Sequence, residues 1–177
     1  MTAHSHDFEE AVQEYWPRLC GLCYRLCGDR QEAEDITQEV LLRAYKGWSE
    51  FRGESSVGTW LFRIAVNECM RHSKRKTLLK LDELGGQETE ACHPMRDAGR
   101  DMEMRAESDA LNHALEKLSP LRRALVHLAF TEGMRAADIA RTLEIPIGSV
   151  WSGLHEAKRQ LREILAPMLV LPKTGSK

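Results

Sequence analysis

The sequence predicts an all-α protein: two small helical modules joined by a flexible acidic linker. Three observations carry this. Apolar residues recur at the three-to-four-residue spacing of a helix along most of the chain, and no stretch alternates as a strand does. Over residues 79–108 that period lapses, with Gly85-Gly86, Pro94 and scattered acids in its place. A length of 177 residues accommodates two small domains and a connection between them. The expected boundaries are therefore 1–78, 79–108 and 109–177.

In the first module, residues 7–27 read as an amphipathic helix that stops at Gly28, with Asp29 placed to cap the next. Residues 30–48 form a second helix with Ala33, Ile36, Val40, Ala44 and Trp48 on one face. A loop through Phe51-Arg52-Gly53 follows, and Ser55 or Ser56 can cap a third helix running to about Lys76. In the second module a helix from Asp109 reaches Leu118. Ser119-Pro120 opens the next, because a proline suits the first helical turn and a serine suits the position before it. A break at Glu132-Gly133 precedes a short helix over Arg135–Leu143 and a longer one over Ile147–Leu165.

Composition narrows the function. With 42% hydrophobic and 29% charged residues, the chain reads as an ordinary soluble protein. It has no apolar run of about 18 residues, so no membrane insertion is expected. Its polar, acidic start lacks the order of a signal peptide, which points to the cytoplasm. The net charge of −2 divides as −1, −4 and +3 over the three segments. An acidic linker between a near-neutral and a mildly basic module suits a protein whose modules, rather than its linker, approach nucleic acid.

Of the five cysteines, Cys20, Cys23 and Cys27 fall at i, i+3, i+7 beside Leu19, Leu22 and Leu26. A metal or redox site is one reading of that cluster; packing as small buried hydrophobes is the reading the spacing favours. No metal or other cofactor is expected. The seven histidines are scattered, and no pairing of His with carboxylate or of nucleophile with base appears, so an enzyme is disfavoured.

Three surfaces stand out. The last two helices, joined by Glu144-Ile145-Pro146, have the form of a helix-turn-helix, with Ala136, Ile139, Ala140, Leu143, Ile145, Val150 and Leu154 spaced as their shared core. A plain helical hairpin would give the same pattern. On the second helix, Asp35, Gln38, Glu39 and Leu42 make a polar stripe with one exposed leucine, either a solvated face or a docking surface for a basic helical partner. On the third helix Arg63, Asn67, Arg71 and Lys74 share a stripe, either a solvated basic face or one that follows phosphates and reaches a base edge. Phe51, in the loop before it, offers a ring on which an unstacked base can rest. Trp60 falls in step with Val57, Leu61 and Ile64 and reads mainly as core.

Three stretches of the first module, residues 32–40, Phe51-Arg52-Gly53 and residues 59–67, resemble region 2 of the extracytoplasmic-function sigma factors, members of the sigma-70 family. Residues 118–123, Asp138-Ile139-Ala140 and residues 145–150 resemble their region 4. Order, spacing and intervening linker agree over roughly residues 8–78 and 109–165. The resemblance implies that this is an RNA polymerase sigma factor, a non-catalytic protein that directs transcription initiation by recognising and melting promoters. Asp35, Gln38, Glu39 and Leu42 would meet the clamp helices of the polymerase's largest subunit. Phe51, Arg63, Asn67, Arg71 and Lys74 would serve the −10 element. Ser149, Trp151, Ser152, His155, Lys158 and Arg159 would face the −35 element, with region 4 also on the polymerase flap. An anti-sigma factor or a DNA-targeting partner is the further expected partner.

One element departs from the family pattern. Trp151, Gly153 and Glu156 stand where the recognition helix usually carries cations. Gly153 also weakens a helix by roughly 1 kcal/mol relative to alanine. The departure sets an alternative beside a self-sufficient sigma factor: one with weak readout of its own at −35, which relies on a separate DNA-targeting partner. A cytosolic thiol or metal sensor built on the cysteine cluster is the remaining alternative.

Overall fold

A computed structural model describes residues 3–82 and 110–169, with side-chain surroundings for 8–76 and 110–166. The described residues form helices and turns, with no strand among them. The first module is a three-helix bundle. Helix α1 (Ala3–Cys27) buries Leu19, Leu22, Cys23 and Leu26. It ends where Gly28 takes φ +83°, a conformation that costs glycine little. Asp29 then caps α2 (Arg30–Gly47), its carboxylate accepting from Glu32 N at 2.8 Å. The inward face of α2 holds Ala33, Ile36, Val40 and Ala44, as the spacing predicts. It also buries Thr37, whose hydroxyl donates to Ala33 O at 2.7 Å and so loses no hydrogen bond.

The α2 helix ends one residue earlier than expected, because Trp48–Glu50 tighten into a 3₁₀ turn. Ser56 caps α3 (Val57–Asp82), accepting from Thr59 N at 3.1 Å. Leu61, Phe62, Ala65, Val66 and Cys69 close the bundle. α3 runs six residues beyond the expected end, so the first four residues of the expected linker are helical; its stretch from 83 to 108 lies outside the described residues.

The second module opens with α4 (110–116). Ser119 caps α5 (Pro120–Val126), with the proline in the first turn. A π-helical turn, His127–Thr131, follows, in which Glu132 N donates to His127 O at 3.1 Å. This wide turn, not foreseen from the sequence, rotates Glu132 inward before Gly133 (φ +65°) reverses the chain. Helix α6 (Ala136–Leu143) ends at Glu144, the described non-glycine residue with positive φ (54°), and α7 (Ile147–Leu169) completes the helix-turn-helix. The seven apolar residues expected to join α6 and α7 all lie in or against the core, with Ile139 and Val150 fully buried.

The two modules pack on each other: α1 meets α5, α3 meets α6, and one apolar core runs through both. Across the seam Arg18 Nε donates to Glu132 Oε2 at 2.7 Å, and Arg123 Nη1 to the carbonyl of Arg25 at 3.3 Å. Nothing in the helical spacing announces this seam, because it joins residues more than ninety positions apart.

Candidate nucleic-acid and partner interface

Burial of the opposite face of α2 turns Asp35, Gln38, Glu39 and Leu42 outward together, and Leu42 is 55% exposed. Tyr45, three residues on, extends the stripe at 62% exposure, its ring edge-on to Phe8 at 5.4 Å. An exposed leucine and tyrosine amid carboxylates and an amide make an apolar centre with a polar rim, the usual make-up of a protein-binding patch. The helical spacing from Leu42 to Tyr45 would have marked the tyrosine too.

On α3, Asn67, Arg71 and Lys74 are exposed along one stripe, and Arg63 begins it half-exposed, 3.6 Å from Glu144 of the second module. A second tier of acids holds the cations of this helix. Glu32 of α2 reaches His72 Nδ1 at 3.1 Å and Lys76 Nζ at 3.0 Å. Glu68, buried, lies between Arg43 and Arg71. Phe51 does not stand alone in its loop: it stacks on Trp48 (centroids 5.8 Å, 17° between planes) and leans on Trp60 at 5.1 Å. Trp60 packs against the core, as expected. Phe51, Arg52, Trp60 and Arg63 form one wall of a cleft whose other wall is Arg141, Glu144 and Pro146.

Val150, Leu154 and Ala157 anchor α7, which leaves Ser149, Trp151, Ser152, His155, Lys158 and Arg159 exposed on its outer side. These residues share a face, but their charges are already engaged. Arg159 is clamped by Glu156 and Glu163, each at 2.6 Å. The hydrogen bond to Arg159 holds the Glu156 carboxyl below its usual range. Lys158 sits over the Phe130 ring at 5.1 Å. Trp151 is 61% exposed.

Gly153 requires a correction. It does not face outward where a DNA contact is missing; a Cβ there would meet Leu125 Cδ1 at 2.4 Å, so its bare backbone lets α7 close on α5.

Cys23 and Cys69 lie in the core, and Cys27 packs against it. Cys23 and Cys69 are buried together, and the hydrogen bond between them pushes the Cys69 thiol up and the Cys23 thiol down. Burial pushes Cys27 up to about 11 and raises Cys20 as well. Thiols raised in this way, those of Cys20, Cys27 and Cys69, are poor ligands and nucleophiles. Among the described residues no group of three or more His, Cys, Asp or Glu is placed to hold a metal ion. Cys92 lies outside the described residues.

At the seam, His127 is 3% exposed, and burial together with the charges of Arg25 and Arg18 pushes its imidazole down to about 4. Glu132 Oε1 is 3.2 Å from Nε2, but Glu132 is paired with Arg18, and neither ring nitrogen has an aligned hydrogen-bond partner. No described helix is long and apolar enough to cross a membrane.

Comparison with known proteins places these features in a family. Sigma-70 region 2 matches residues 11–78 and Sigma-70 region 4 matches residues 108–161. The RNA polymerase sigma-H factor of Pseudomonas aeruginosa is 32% identical over 170 residues, covering 92% of this chain and 88% of its own. The ECF RNA polymerase sigma factor SigW of Bacillus subtilis is 31% identical over 168 residues, covering 89% and 88%. Among solved structures, sigma factor RpoE in complex with the anti-sigma factor NepR, from Bartonella quintana, superposes with a TM-score of 0.75 at 26% identity, covering 90% of this chain and 97% of that one. CnrH, solved with the cytosolic domain of CnrY, shares the fold at TM-score 0.65 and 18% identity, covering 92% and 90%. The all-α arrangement of two modules is that of these proteins, and the chain belongs to the extracytoplasmic-function RNA polymerase sigma factors of the sigma-70 family.

Proposed function

We propose that this sigma factor binds core RNA polymerase through Asp35, Gln38, Glu39 and Leu42 and opens promoter DNA with the surface of Phe51, Arg63, Asn67, Arg71 and Lys74. The division into a region-2 module (1–78), a linker (79–108) and a region-4 module (109–177) belongs to the same reading. The observation that carries it is the two stripes on neighbouring helices of one bundle: an acidic, leucine-centred one on α2 and a basic one on α3. A protein that must hold a polymerase and separate strands beside it needs two such faces in fixed relation. Its work is binding, not catalysis: the cost of unstacking a base is recovered by stacking and hydrogen bonding to the exposed strand. It works where polymerase works, in the cytoplasm, and its inhibitor is an anti-sigma factor, as in the solved relatives.

Charge reversal at Asp35 and Glu39, Asp35→Lys with Glu39→Lys, tests the first half. Both side chains are exposed, so helicity by circular dichroism is expected to stay intact. Affinity for core polymerase is expected to fall by roughly a hundredfold or more, since two attractions to a basic partner become repulsions. Co-purification of the double variant at wild-type yield contradicts the assignment.

A second reading concerns region 4: Ser149, Trp151, Ser152, His155, Lys158 and Arg159 read −35 DNA weakly, and a separate DNA-targeting partner supplies the upstream contact. It is favoured by Glu156 and Glu163, which engage all three nitrogens of Arg159 and so compete with a base for its donors, and by the exposed Trp151, a suitable protein anchor.

A further inference from the structure

We propose that Glu68 is a positioning residue for promoter recognition: it holds Arg71 at one place on the DNA-facing stripe and ties it to Arg43 on the polymerase-facing helix. The inference rests on the reading that Arg71 contacts −10 DNA.

Glu68 follows Asn67 on α3 but points the other way. It is 4% exposed, so it cannot itself touch a nucleic acid. One oxygen, Oε1, lies 2.6 Å from Arg43 Nε and 3.1 Å from Arg71 Nη2. A carboxylate taken out of water stays charged only if it is paired, and here both partners are guanidinia. The two cations remain about half exposed, with side chains at 48% for Arg43 and 55% for Arg71, so each keeps donors for an outside partner.

The three side chains lie along a groove between α2 and α3. Glu39 and Leu42 of the polymerase-facing stripe form one lip, and Arg71 and Arg75 the other. Glu68 is thus the buried joint between the two faces. A long arginine left free samples many rotamers and follows any phosphate. Held by a carboxylate behind it, its fork is presented in one direction, which is what discrimination requires.

The charge argument separates positioning from simple support. Removing the Glu68 charge makes the stripe more positive, so indiscriminate attraction to phosphates rises while directional readout falls. A merely structural glutamate predicts otherwise: loss of folded protein, a parallel fall in all binding, and unchanged preference.

The experiment uses holoenzyme assembled from core polymerase and the full chain, with a single-stranded oligonucleotide library randomised over the −10 window. Per-position enrichment and the salt dependence of binding are read. Glu68→Gln is expected to lower enrichment at one position by about fivefold or more, while affinity for unselected sequences stays level or rises. Arg71→Lys, an exposed change that keeps the charge but loses the fork, is expected to lose the same enrichment with its salt slope retained. Arg71→Ala is expected to lose enrichment and to reduce the salt slope by about one. If Arg71→Ala changes nothing, the −10 role of Arg71 is wrong and the proposal goes with it. If Arg71→Ala acts but folded Glu68→Gln or Arg71→Lys keeps full enrichment, the −10 role stands and positioning by Glu68 is overturned. Should Glu68→Gln not fold, Glu68→Asp, which keeps the charge but draws it back from Arg71 by one methylene, takes its place: loss of the same enrichment supports positioning, and full enrichment overturns it.

Discussion

At the residue scale, the stripe of α3 proposed to meet DNA would make two kinds of contact that mutation separates. An asparagine amide reads a base edge, whereas a lysine ammonium meets any phosphate. Asn67→Ala is therefore expected to change preference at one −10 position, and Lys74→Ala to weaken all sequences alike and to reduce the salt slope by about one. Permanganate footprinting and competition binding distinguish them; uniform weakening by Asn67→Ala contradicts its base-reading role. His127 gives a second residue-scale outcome. In the unfolded chain its imidazole protonates near 6.5, but the buried ring resists until about 4. Stability is then whole above pH ~6.5 and falls as pH drops from ~6.5 toward ~4, by about 3 kcal/mol at the lower end. Urea denaturation is expected to show that loss, and His127→Gln to remove most of it. An equal pH slope in wild type and variant contradicts the account.

What sequence reasoning recovers differs between such residues for a physical reason. The outward stripes of α2, α3 and α7 follow from helical periodicity, because a helix that buries one face must expose the other, and every candidate on them except Arg63 is exposed. Arg63 and Phe51 are partly covered by the second module and by the Trp48–Trp60 pair, which no local pattern reveals. No local pattern marks Glu68 or Glu132. Their burial depends on arginines brought in from other turns or another module, so it is tertiary information.

At the element scale, Gly153 shows why a motif comparison alone misleads. Read as a missing cation, it implies a helix weakened without gain. In the fold it is the contact that brings α7 onto α5. The two views predict opposite signs for Gly153→Ala. Propensity alone gives about 1 kcal/mol of stabilisation. The Cβ, however, would stand 2.4 Å from a Leu125 methyl in a side chain only 1% exposed, and overpacking of that kind costs about 1–3 kcal/mol. A net loss of about 1 kcal/mol is expected by urea unfolding; a rise in stability contradicts the close α5–α7 contact. The π-turn of His127–Thr131 was likewise invisible in the helical spacing, which runs on until Gly133. Helix caps, by contrast, were legible at Asp29, Ser56 and Ser119, because the capping hydrogen bond is local.

At the scale of the whole molecule, the two modules form one apolar core fastened by Arg18 and Glu132. The Glu132 side chain is 4% exposed and that of Arg18 39%, so the pair falls between a surface and a buried bridge. Arg18→Ala leaves the buried acid with only the neutral His127 ring beside it and is expected to cost about 2 kcal/mol, between the limits for those two cases. The wild type is expected to unfold in one transition and the variant to show a larger radius of gyration by small-angle scattering. Two separate transitions in the wild type contradict the shared core.

The chain is a sigma factor, and the central proposal is that its promoter choice is set mainly by region 2. It is tested most directly by transcription from core polymerase and this protein alone, on a promoter library randomised over both the −10 and −35 windows. The account predicts transcripts that depend on the added protein, selection concentrated in the −10 window, and little preference at −35. The absence of protein-dependent transcripts contradicts the sigma-factor reading under those conditions, and strong selection of one −35 sequence contradicts the division of labour between the two modules.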